Sequence, residues 1–304
     1  MAIRSRCQVC LRIVWLALLI VVGSSFVQAQ GLLWRLPKQE GKWIRFEGTY
    51  KQTVHRPNNA EGDLNVEWTK HVTLKSLTKE EVEWRGTKQT GWWIEIKAVT
   101  GQVKEGIIDA GPGGLQIYKI LVPEGAIQGK VNEEVAPGRE IYVSYIPIVK
   151  GFRKTGEEAA QPIASGNFDL YPVVSQLRHY RDLQSAGDET LQTPLGDAAG
   201  SLWKGTGTSE NRTQRIATTA EIGRTDDEKF LFGVAKWTAT VATEVKTSTA
   251  PRSEFQPRVE IAEQMNAIEA GEGAESEILD TADAAPAPAA DPAPAAAAAT
   301  DNAN

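Results

Sequence analysis

The chain has 304 residues, with 33 Lys and Arg against 39 Asp and Glu, a formal net charge of −6. No basic stripe stands out, which excludes the electrostatic footprint of a nucleic-acid-binding protein. Cys7 and Cys10 are the only cysteines and both lie in the first 29 residues, so 30–304 carries no thiol, disulfide or cysteine-based metal site.

Residues 1–29 have the order of a secretory signal peptide. Arg4, Arg6 and Arg12 lead, Ile13 to Val22 is uninterrupted apolar sequence, and Val27-Gln28-Ala29 offers a cleavage site. Ten apolar residues are too few to span a hydrocarbon core as a helix, so no transmembrane span is expected after processing. The expected location is the periplasm or the extracellular space. Neither cysteine follows the apolar run, which argues against a lipid-attachment site.

Residues 30–270 read as a single β-rich domain. Gly31 to Leu36 looks like an apolar helical turn stopped by Pro37. Ile44, Phe46 and Tyr50 share one parity of a strand at Trp43–Lys51. Leu64, Val66, Trp68, Val72 and Leu74 then alternate with polar residues, and only Lys70 breaks the apolar parity. Period two over this length predicts a half-buried antiparallel strand. Glu81–Gly86, Trp92–Thr100, Lys104–Asp109, Leu115–Val122 and Glu140–Val149 continue the strand signals, with turn residues at 110–114. Trp92 and Trp93, adjacent in one strand, must face opposite sides.

The middle of the chain predicts a helix starting near Phe168, capped by Asn167, with Val173, Val174, Leu177 and Tyr180 on one face. Strands return at Ser201–Thr208, Thr213–Ile222 and Phe232–Lys246. Ile261, Met265 and Ile268 are spaced as one stripe of an amphipathic segment over Val259–Ala270. Residues 271–304 hold seven acidic residues, no Lys or Arg, and an Ala-Pro tract, so a disordered acidic tail is expected. The fold class is mainly β (α+β): a curved antiparallel sheet or open half-barrel with a few packing helices.

Chemistry-bearing motifs are scarce. The chain has no G-x-S-x-G, no H-E-x-x-H and no S-x-x-K with its partner motifs, and Gly111–Gly114 lacks the ending of a phosphate loop. His55, His71 and His179 have no metal-ligand spacing, and Thr225–Glu228 has no calcium-loop pattern. No enzyme activity, cofactor or metal is expected. An exported hydrolase built on His179 with a nearby Ser and Asp is the one catalytic arrangement worth testing. Asn211-Arg212-Thr213 matches a short glycosylation pattern. Eight tryptophans follow residue 29, and Trp68, Trp92 and Trp237 fall on the apolar parity of their strands. They are either core residues or the lining of an apolar cavity.

The phrases GKWIRFEGTY, TPLGD (Thr193–Asp197) and FLFGVAKWTATV (from Phe230), in this order of elements, resemble the outer-membrane lipoprotein-sorting and carrier superfamily. Its members fold as an open half-barrel of antiparallel strands closed by helices. The resemblance also extends to a group of exported bacterial proteins without an assigned role. It implies a fold and a way of binding, with acyl chains or a lipidated segment held in the half-barrel, and it carries over no functional residue. The resulting expectation is an exported envelope binding protein for a lipid or a lipidated protein, lined by Trp68, Trp92 and Trp237. The alternative is a non-enzymatic structural or protein-interaction module of the envelope.

Overall fold

A computed structural model describes residues 33–84, 86–111, 114–127, 132–136, 139–142, 148–163 and 183–278. The expected signal peptide, central helix and tail beyond 278 lie outside these residues, and so does His179. Fourteen strands occur among the described residues. The first half contributes β1 (Lys42–Val54), β2 (Leu64–Trp84), β3 (Thr87–Lys104), β4 (Ile107–Asp109) and β5 (Leu115–Pro123). A one-turn helix (Glu124–Ile127) leads to β6 (Asn132–Ala136), β7 (Arg139–Tyr142), β8 (Lys150–Thr155) and β9 (Gln161–Ile163). The second half holds β10 (Gln184–Leu191), β11 (Ala198–Glu210), β12 (Gln214–Arg224), β13 (Val234–Val245) and β14 (Gln256–Glu272).

Twelve of these strands form one open antiparallel sheet, and β6 and β7 pair separately. Its order is β10–β11–β12–β13–β14–β1–β2–β3–β5–β8–β9, with β4 folded back on β3. Two meanders are therefore joined edge to edge by β1 and β14, which pair over thirteen positions from Lys42↔Glu272 to Val54↔Val259. The alternation of β1 shows why it is a strand: Ile44 and Phe46 are fully buried, and the intervening Arg45 and following Glu47 face outward. On that outer side Glu269–Arg45 (2.9 Å), Glu47–His71 (2.9 Å) and Lys51–Glu67 (3.1 Å) connect β14, β1 and β2. Gly48 marks the closest approach of the two meanders. A Cβ there would sit 1.7 Å from the Gln264 carbonyl oxygen, so only glycine fits.

The inner face carries the main core. Ile44, Phe46, Val72, Leu74, Ile94 and Ile96 pack there with Ile120, Ile222, Trp237 and Met265. Two non-sheet segments cover part of it. Leu33 and Trp34 are buried, and the Trp34 and Arg35 amides both donate to the Phe232 carbonyl. The Arg35 guanidinium donates to the carbonyls of Asp226, Asp227 and Phe230 at 2.6–3.0 Å, fastening the segment to the β12–β13 loop. Phe230 and Phe232 of that loop are buried in turn. A smaller cluster of Leu77, Val82, Trp93 and Leu121 lies on the outer face, so Trp92 and Trp93 do face opposite sides.

Several expectations are corrected. Residues 33–36 form no helical turn, and the few packing helices reduce, among the described residues, to the single turn at Glu124–Ile127 and a 3-10 turn at Arg252–Glu254. The segment over Val259–Ala270 is the strand β14. Ile261 and Met265 share its inner parity, and an irregularity in the β1 pairing leaves Ile268 without an opposite residue, which produces the helix-like spacing. The fold also continues past Ala270: β14 ends at Glu272, and 273–278 packs against the sheet. Glu81–Gly86 is no separate strand, because β2 runs through to Trp84.

Gly48→Ala should destabilise the protein by at least about 2 kcal/mol through overpacking at the seam. At ~2–4 °C per kcal/mol for a domain of this size, calorimetry should read a Tm loss of roughly 4–8 °C. An unchanged Tm would mean that the two meanders do not meet this closely.

Candidate functional site on the inner face

Strand register divides the inner face into rows. The row Trp237–Met265–Gly48–Lys70 is followed by Ala239–Glu263–Tyr50–Trp68, then Val241–Ile261–Gln52–Val66, then Thr243–Val259–Val54–Leu64. Side chains on one parity of paired strands share a face, so these rows run outward from the filled core. The outer rows are still apolar but only half-buried: Val54, Val66, Val241, Val259 and Ile261 are intermediate, and Leu64 is 41% exposed. The face therefore has a filled half and an open half.

The three tryptophans fall in different parts of this arrangement. Trp237 is buried in the filled half, edge-on to Phe46 at a centroid distance of 4.8 Å. Trp92 is also in the core, with the Lys79 ammonium 4.3 Å above its ring, and lines a small cleft of about 230 Å³ with Leu36, Pro37 and Glu124. The indole nitrogens of Trp92 and Trp237 are buried and meet no hydrogen-bond partner among the described residues. Trp68 is half-buried at the start of the open half, stacked on Tyr50 at 5.8 Å with an 11° tilt. All three side chains share the inner face, but among the described residues they do not line one common cavity.

A buried ion pair divides the two halves. Lys70 on β2 reaches over β1 to Glu263 on β14, and both side chains are under 10% exposed. The Lys70 ammonium also lies 5.6 Å from the Tyr50 ring centre. Burial pushes the Tyr50 phenol up to about 12, and the neighbouring Glu263 carboxylate adds to the rise. Tyr118, hydrogen-bonded to Gln116, is pushed to about 12 by burial, against the opposing pull of Arg153. Lys70 shows in the sequence as the one break in an apolar parity. Glu263 gives no such signal, because the stripe around it has helical spacing.

The remaining candidates are dispersed. His55, just past the end of β1, bonds Asp63 at 2.8 Å, and His71, within β2, bonds Glu47 at 2.9 Å, so the two do not meet. Among the described residues no three His, Cys, Asp or Glu side chains group as a metal site. Asn211 sits in the β11–β12 turn, where its side-chain oxygen accepts from the Thr213 and Gln214 amides. No helix among the described residues is long and apolar enough to cross a membrane, which says nothing of strands.

No family model and no curated protein matches the chain. Among solved structures, a candidate lipoprotein from Parabacteroides distasonis aligns over 80% of this chain and 100% of its own, at 10% identity and a TM-score of 0.30. A candidate exported protein with a YmcC-like fold from Bacteroides fragilis aligns over 81% and 100%, at 10% identity and a TM-score of 0.29. Neither likeness bears on what this chain binds.

Two measurements test the polar division of the face. Lys70→Met or Glu263→Leu alone removes one half of the buried ion pair and should cost about 3–5 kcal/mol by denaturant unfolding. The double variant Lys70→Met/Glu263→Leu should recover most of that loss. Two additive losses would mean that the residues do not act as a pair. The tyrosines give a pH signature. Below pH 10 the folded and unfolded states both hold these protons, so nothing changes there. Between about 10 and 12 the unfolded chain loses them first, and stability should fall as pH rises. Tyr50→Phe/Tyr118→Phe should flatten that alkaline decline.

Proposed function

We propose that this chain is a non-catalytic, exported binding protein of the cell envelope that holds a lipid-like or lipidated ligand on the open half of the inner face. The supporting observation is the half-buried strip of Val241, Ile261, Val66, Val259, Val54 and Trp68, which continues the apolar core but lies outside its filled part. An acyl chain laid along these rows would gain roughly 0.8 kcal/mol per buried methylene and needs few polar contacts. Trp68 and Tyr50 form a flat wall at the inner end of the strip, with the Lys70–Glu263 pair behind it. Export is supported by the basic, apolar and small-residue order of residues 1–29.

A second reading, an envelope protein-interaction module, draws on the dense packing of Trp237 against Phe46, which leaves the filled half no room for a ligand. One experiment separates the two. Native mass spectrometry of the protein purified from its own envelope, with organic extraction, should find a discrete acyl-bearing adduct. Dodecanoate added to delipidated protein should bind saturably by isothermal titration calorimetry. Trp68→Ala with Val241→Asp should weaken that binding at least about tenfold, equivalent to ~1.4 kcal/mol of lost apolar contact. A clean protein mass and no saturable response would reject the lipid reading in favour of the interaction module.

A further inference from the structure

The outer face of β2 and β3 carries an arrangement unrelated to the apolar strip. Past β14 the chain turns at Gly273 (φ 73°), where an added Cβ would touch nothing within 4 Å. The Ala274 amide then donates to the Gly41 carbonyl at 2.9 Å, and Ala274 packs on the outer cluster of Leu77, Val82, Trp93 and Leu121. Residues 275–278 continue over Glu95, whose side chain is 0% exposed. The Glu95 carboxylate accepts from Lys75 Nζ (2.7 Å), from the Ser276 hydroxyl (2.7 Å) and from the Glu277 amide (2.9 Å). Lys75 also donates to the Glu275 carbonyl (3.0 Å) and, with Lys97, grips the two Glu277 carboxylate oxygens at 2.8 and 2.7 Å. Ile278 is 2% exposed.

The chemistry of this contact is that of reading a peptide. Glu95 takes a hydroxyl and a main-chain amide, Lys75 and Lys97 take a carboxylate, and the aliphatic residue that follows is buried. A fully buried carboxylate is a costly way to fasten a terminal segment, since an apolar residue of similar size usually does so at lower cost. Its value lies in discrimination: two of its three hydrogen bonds come from the segment itself, so a wrong segment leaves it short of partners. Attachment through a turn at an unhindered glycine lets the segment leave without disturbing β14.

We propose that this outer-face groove is a peptide-docking site which residues 274–278 of the chain occupy in cis, and that it accepts an extended Ser–acidic–aliphatic peptide of a partner protein in trans. The tether gives the resident segment an effective concentration on the order of millimolar, so a partner peptide gains access only when the resident is weakened or withdrawn.

The test uses the full chain and a fluorescein-labelled peptide of sequence Ala-Glu-Ser-Glu-Ile, read by polarisation. A Ser276→Ala/Ile278→Asp variant, with its own segment weakened and its near-ultraviolet circular dichroism unchanged, should bind the peptide at least about tenfold more tightly than the unaltered chain. Adding Glu95→Gln to that variant should reduce binding about tenfold or more. A folded variant that ignores millimolar peptide overturns the proposal, and so does a variant that loses its fold. Hydrogen exchange on the unaltered chain provides a check free of substitutions. The Glu277 and Ile278 amides should open well before those of β1, and exchange only through global unfolding would make the segment plain core.

Discussion

Everything in this fold depends on one pairing, β1 with β14. The second meander is built from local hairpins, the first has one longer connection over 124–149 between β5 and β8, and the seam alone makes them a single sheet. Its partners are far apart in the chain: Lys42 and Glu272, which form an ion pair at one end of the seam, are separated by 230 positions. Closing so long a loop precedes any reward from the contacts it makes, so the seam should form late and the meanders early. The inner core is continuous across it, with Phe46 of β1 edge-on to Trp237 of β13 and Met265 of β14 paired between Trp237 and Gly48. Glycine at 48 lets the backbones approach, and the Lys70–Glu263 bridge spans the same point from above.

That bridge is better understood as a register device than as a source of stability. Taking both charges out of water costs several kcal/mol per ion, and their attraction roughly offsets the cost. A one-residue slip of β14 on β1 would turn Glu263 to the outer face and strand Lys70 in the core. The outer face repeats the logic at lower stakes, with exposed pairs such as Arg45–Glu269 and Lys51–Glu67 that contribute little each but agree on one register. The strand ends beyond the bridge lack such crowding, and there the inner face stays half-open.

How much of this was legible in the sequence follows from what periodicity can report. The runs of β1, β2, β3, β12 and β13 were readable by their alternation of apolar and polar residues, and β5 and β11 as strand-forming runs, β5 being buried on both faces from Ile117 to Pro123. β8, β9 and β10 were not, because Lys150–Thr155, Gln161–Ile163 and Gln184–Leu191 expose much of both faces and show no alternation. β14 reads only as an amphipathic stripe, because Ile268 falls at an irregular pairing, a feature set by its partner strand. At the candidate site, Lys70 was visible as an anomaly without a cause. Its partner lies on a strand whose neighbour in the sheet no local pattern could name. All three tryptophans lie on the inner parity, but parity cannot tell the filled rows of Trp237 from the half-open row of Trp68.

The irregularity between Ser76 and Lys79 explains how one pair of strands serves two faces. Ser76 pairs with Ile94 and Lys79 with Trp92, so β2 spends one more residue than β3 across this step. The inner parity of β2 therefore shifts, and Val82 emerges on the outer face beside Trp93. Without the extra residue, Val82 would continue the inner core and the outer face would lose it from its small apolar cluster. That cluster is the floor on which Ala274 rests, and from there the C-terminal segment reaches Glu95. The same shift brings Lys79 over Trp92 on the inner side, closing the end of the core opposite the open rows. One inserted residue thus lets β2 feed the inner core before the step and the outer cluster after it.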